Sequence, residues 1–142
     1  MKKKFLILTL LIVPLLTACG SSNELKCTQE RGVTTKKVIV KFDSKKEKAT
    51  DVIMAYTFDF SKAEDLSEFG CNDFEECLKL AEEELEDCEK DSDFVSCKIT
   101  DRTKSALTIE GVMNKEQIEK EIGDKKYDEV KKLLEETGLT CK

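Results

Sequence analysis

The 142-residue chain sets 24 Lys and Arg against 30 Asp and Glu, and it contains neither His nor Trp. A formal charge of −6 denies it the basic face that nucleic-acid binding demands, so no nucleic-acid partner is expected. The missing His removes the usual general base, the commonest metal ligand and every Ser/His or Cys/His nucleophile arrangement.

In chain order, Lys2, Lys3 and Lys4 come first. Phe5 to Leu16 is then almost wholly apolar, broken only by Thr9 and Pro14. As a helix this run reaches about 18 Å, against a hydrocarbon core of about 30 Å, so it suits a signal-peptide core better than a membrane span. Leu16-Thr17-Ala18-Cys19 follows. Basic start, apolar run and Leu-Thr-Ala-Cys together resemble the bacterial lipoprotein signal, whose cysteine is diacylglycerylated before cleavage. The resemblance implies that residues 1–18 are a signal peptide, that Cys19 is the lipidated first residue of the mature chain, and that residues 19–24 tether a domain of residues 25–142. It also implies a place on the extracytoplasmic face of the membrane, reached through the lipid on Cys19. Each buried CH₂ contributes about 0.8 kcal/mol, so two or more acyl chains hold a protein where one lets it leave. Cleavage removes three lysines and takes the formal charge from −6 to −9. Such a domain is expected to stand off anionic headgroups.

Beyond the tether, Leu25 to Glu30 reads as a first strand, punctuated by Arg31-Gly32. Thr34 to Phe42 alternates, with Val38, Val40 and Phe42 on one side and Lys37, Ile39 and Lys41 on the other. Ala49 to Phe60 is the longest strand expected, lined by Val52, Met54, Tyr56, Phe58 and Phe60. Ser61 to Gly70 is a polar connection with a possible helical turn at Lys62 to Glu68. A helix follows, capped by Asn72 or Asp73 with Glu75 or Glu76 completing a capping box. Its apolar stripe is Phe74, Cys77, Leu78, Ala81, Leu85 and Cys88. Its other side, with Glu82, Glu83, Glu86, Asp87 and Glu89, reads as a solvated face. Phe94 to Thr100 resumes strand alternation with Val95, Cys97 and Ile99 inward, and Ser105 to Val112 adds a strand carrying Leu107 and Ile109. A second helix is expected from Asn114, with Gln117 at the capping-box position, to Gly123. A third opens at Asp124 with Tyr127, Val130, Leu133 and Leu134 as its stripe. Gly138 closes it and Leu139 folds back onto the last turn.

Seven cysteines are present. With Cys19 assigned to lipid, six remain: Cys27, Cys71, Cys77, Cys88, Cys97 and Cys141. An even number in a small exported domain reads as a disulfide framework of up to three bridges. Cys77 and Cys88 share a helix about 16 Å apart along its axis, too far for a bridge. Cys88 with Cys97 is favoured because the chain turns between them. Cys27 and Cys141 meet other cysteines or each other. No Cys-x-x-Cys pair exists, so neither a zinc site nor a redox centre is indicated, and no metal or cofactor is expected.

The element order β-β-β-α-β-β-α-α lacks βαβ spacing. It predicts an α+β domain, a single antiparallel sheet with the helices packed on one face, stapled by disulfides. The lipobox, the strand reaching Tyr56-Thr57-Phe58-Asp59-Phe60 and the helix end Lys131-Lys132-Leu133-Leu134-Glu135-Glu136-Thr137-Gly138 resemble the small YehR-like lipoproteins of low-GC Gram-positive bacteria. That resemblance implies location and fold, not chemistry. No catalytic set stands out among the 30 acidic residues. The expectation is a monomeric, non-catalytic binding or envelope-associated module, its partner unspecified. The alternative is a small-ligand carrier or transport-linked accessory lipoprotein.

Overall fold

The computed structural model describes residues 23–142; the expected signal peptide of residues 1–18, the expected lipidation residue Cys19, and Gly20 to Ser22 lie outside the described residues. Five long strands, β1 (Glu24–Arg31), β2 (Thr34–Phe42), β3 (Ala49–Asp59), β4 (Phe94–Arg102) and β5 (Ala106–Met113), join a two-residue strand, β6 (Thr140–Cys141). They form one sheet in the order β4-β5-β3-β2-β1-β6, with each neighbouring pair antiparallel. Three helices, α1 (Phe74–Lys90), α2 (Lys115–Glu121) and α3 (Tyr127–Glu136), complete the α+β domain. No described helix is long and apolar enough to cross a membrane.

The period-2 alternation decides which face is covered. Val38, Val40 and Phe42 are buried, as are Leu25, Val52, Leu107 and Ile109 at matching register positions. One row of register partners runs through Cys141, Cys27, Val38, Met54, Gly111 and Cys97, crossing all six strands on that face. The helices lie over it in two groups. Ile118 and Ile122 with α2, and Val130 and Leu139 with α3, close a core over β1, β2 and the start of β3. Cys77, Leu78 and Ala81 of α1 close a second core with Leu107, Ile109 and Phe60.

Local chemistry sets the helix ends. Asp73 caps α1 by accepting from the Glu76 N–H at 2.9 Å, while the Glu76 carboxylate accepts from the Asn72 N–H at 2.8 Å. Asn114 caps α2 through the Gln117 N–H at 2.7 Å, but the Gln117 amide turns forward to Glu121 instead of back to the cap. At the end of α3 the Gly138 N–H donates to Glu135 and the Leu139 N–H to Leu134, with Gly138 at φ 96° and Leu139 buried. Such paired bonds satisfy the last carbonyls and need a residue free to take positive φ.

Several expectations change. Val95 is 67% exposed, not inward. The β4 register shifts between Phe94 and Ser96, so this bulge turns Val95 out and puts Phe94 on the helix-bearing side. Phe74 is 39% exposed at the first turn of α1 and Leu133 is 37% exposed on α3, so both apolar stripes are narrower than their sequences suggest. Helix α3 starts at Tyr127, with Glu129 accepting from the Lys126 N–H, and Asp124 stays outside it. Phe60 leaves the strand and opens a 3₁₀ turn, Phe60–Lys62, followed by a second, Leu66–Phe69. Asp101 and Arg102 belong to β4 rather than to a turn.

Candidate functional site

The six cysteines of the described residues pair completely. Cys27 bonds Cys141, Cys71 bonds Cys77 and Cys88 bonds Cys97, with Cα separations of 4.0, 5.2 and 6.1 Å. The first bridge ties β6 to β1, where the Lys142 N–H also donates to the Lys26 carbonyl at 2.8 Å. The second locks the loop before α1 to its first turn. The third pins the C-terminal half of α1 to β4. Among the described residues no group of three or more Cys, Asp or Glu side chains gathers as a metal cluster.

The two helix groups do not meet over the middle of β3. Val52 at one end of its apolar stripe and Phe60 just beyond the other are buried, but Met54, Tyr56 and Phe58 between them are only half-buried. The gap is a cleft of about 250 Å³. Its floor is Met54, Tyr56 and Phe58 of β3 with Ile109 and Gly111 of β5. Its wall is one flank of α1, where Glu84, Asp87 and Cys88 face it, continued by Asp91 at the C-cap, with Phe94 at the end. Spacings of three, four and seven keep these residues on one side of the helix. Past Phe58 and Glu84 the cleft continues into a depression of about 190 Å³ bordered by Phe60, Phe69 and Leu80. Phe69 and Leu80 are each 40% exposed there.

Gly111 makes the inner end possible. A Cβ at this position would stand 2.8 Å from Phe94 Cδ1 and 3.1 Å from Cys88 Sγ. Glycine thus lets the Phe94 ring and the Cys88–Cys97 bridge lie directly on the strand. The bridge in turn holds the acidic flank of α1 at the cleft edge.

Charge is distributed unevenly around this cleft. Glu84, Asp87 and Asp91 make no ion pair among the described residues, whereas Glu75, Glu82 and Glu86 on the same helix pair with Lys79, Arg102 and Lys90. On the far bank Lys36 Nζ lies 5.9 Å from the Tyr56 ring centroid, beside Gln29 and Arg31. Helical periodicity alone groups Asp87 with the solvated face of α1 and singles out neither Glu84 nor Asp91. Their shared flank with the half-exposed Leu80 was the available signal.

Comparison with protein-family models, with curated protein sequences and with solved structures returned no match.

Proposed function

We propose that the chain is a bacterial lipoprotein that holds a disulfide-stapled, non-catalytic binding domain on the extracytoplasmic face of the membrane, anchored through lipid on Cys19. The observation that carries this reading is the complete pairing of Cys27, Cys71, Cys77, Cys88, Cys97 and Cys141 in three bridges. Such bridges form and persist in oxidising, extracytoplasmic compartments. The fold therefore makes no demand on Cys19, the cysteine of the Leu16-Thr17-Ala18-Cys19 motif. The kinship with small YehR-like lipoproteins belongs to the same proposal, as does a monomeric state. A non-catalytic role is supported by a sequence with no His to act as base.

The test is substitution of Cys19 with Ser, followed by cell fractionation and labelling with an alkyne fatty acid. Loss of label and release from the membrane fraction are expected. Retention in the membrane without label would overturn the anchor.

A second reading, a small-ligand carrier, is favoured by one observation. The cleft beside α1 leaves Met54, Tyr56 and Phe58 half-covered in the middle of an otherwise closed core. Partly apolar concave sites with a few convergent polar groups are where small ligands bind.

A further inference from the structure

We infer that the cleft between α1 and β3 binds an organic cation with an apolar body, an aryl- or alkylammonium compound. The inference rests on the reading of the domain as a binding module and is independent of the anchor.

Three observations converge on this ligand chemistry. The floor offers the aromatic rings of Tyr56 and Phe58, both half-buried and lining the cleft. An aromatic face attracts a cation within about 6 Å of its centroid, and most strongly where water is excluded. The Tyr56 ring already receives one cation at the edge of that range, Lys36 from the far bank. The wall supplies Glu84, Asp87 and Asp91, three carboxylates that no Lys or Arg of the described residues neutralises. Of the other α1 carboxylates, Glu75, Glu82 and Glu86 pair with Lys79, Arg102 and Lys90, and Glu76, Glu83 and Glu89 do not line the cleft. A volume of about 250 Å³ admits a single ring or short branched chain with its ammonium group. An anion would meet three like charges at the wall. A neutral apolar molecule would gain the floor but nothing from the wall. The chain's net negative charge further raises the local concentration of cations.

The test uses the oxidised full chain in non-ionic detergent. Three probes of matched size are titrated and followed by NMR: benzyltrimethylammonium, its neutral carbon isostere neopentylbenzene, and 3-phenylpropanoate. The cation is expected to bind about tenfold more tightly than the isostere, a ratio set by one charge at a partly dry site. Shifts are expected at Tyr56, Phe58 and Gly111, and the anion is expected not to bind. The double variant Glu84→Gln with Asp87→Asn should remove most of the cation's advantage over the isostere, leaving what the Tyr56 and Phe58 rings and Asp91 supply. Glu83→Gln with Glu86→Gln removes the same charge from the outer side of α1 and should leave binding unchanged. Equal binding of cation and isostere, tighter binding of the anion, an equal loss in the outer-face variant, or no saturable shift at millimolar probe would each overturn the proposal. Fractionation of the Cys19→Ser protein tests the anchor alone, so either failure is recognised separately.

Discussion

Replacing Cys27 and Cys141 together with alanine removes the bridge that closes 114 residues of chain. A cross-link stabilises mainly by lowering the entropy of the unfolded chain, and its contribution grows with the logarithm of the loop. For this separation the relation gives about 4.8 kcal/mol at 25 °C. For Cys88–Cys97, nine residues apart, it gives about 2.7 kcal/mol, and for Cys71–Cys77, six apart, about 2.4 kcal/mol. Cys27, Cys71 and Cys77 are buried, so the long bridge and the shortest both lose packed sulfur when replaced. Burial alone therefore does not place the long bridge ahead of the shortest. A domain of this size is typically stable by about 5–15 kcal/mol, so losing the long bridge removes a large share. The melting temperature should fall by about 15–20 °C. Urea unfolding followed by circular dichroism, without reductant, on the three double-alanine variants is the assay. The Cys27/Cys141 variant should be the least stable, and its m-value should rise because the unfolded chain expands. A Cys71/Cys77 variant as destabilised as the Cys27/Cys141 variant would refute the loop-entropy reasoning.

Gly111→Ala should destabilise by about 1–3 kcal/mol, because the new Cβ would sit 2.8 Å from the Phe94 ring beside a bridge that cannot retreat. Wild-type stability in chemical denaturation would show that the ring gives way freely. Val95→Lys should change stability by less than about 0.5 kcal/mol, since the bulge points that side chain to water. A core-sized loss in the same assay would mean that β4 follows simple alternation after all. The hydrogen bond from the Ser67 hydroxyl, then that from its backbone N–H, lowers the Asp65 carboxyl below its ordinary 3.8. A group depressed in the folded state contributes stability above its unfolded pKa and loses it as pH falls through the folded value. NMR titration of Asp65 should therefore give a midpoint below 3.8, moving up towards it in Ser67→Ala; identical midpoints in the two proteins would count against the bond.

Much of this fold was legible because its signals are local. Val38, Val40 and Phe42 alternate with Lys37, Ile39 and Lys41, and the buried and outward sets follow that alternation. Asn114 and Gly138 mark their helix ends as capping chemistry requires. The bridge between Cys88 and Cys97 followed from a turn between a helix and a strand. What escaped is set by tertiary geometry. Strand β6 is two residues long and carries no period of its own; its place comes from pairing with β1 at Cys27. The bulge at Val95 depends on how β4 meets β5, which no alternation within β4 reveals. The cleft is a matter of spacing between two helix groups on one sheet. The stripe Met54, Tyr56, Phe58 looks like ordinary core until it is seen that Met54 borders one helix-covered core, Phe58 the other, and Tyr56 neither. Asp87 falls on a flank rather than on the outer side of α1, a difference of a fraction of a turn that matters only once the cleft is in view.

The most direct test of the central claim is the intact mass of the protein extracted from the membrane fraction of its own cells, measured without reductant. A lipid-anchored, fully bridged protein has lost residues 1–18, gained a diacylglyceryl group at Cys19, and shows no alkylatable thiol among the six cysteines of its three bridges. A chain that retains Met1 and takes up alkylating reagent at those six positions would contradict it.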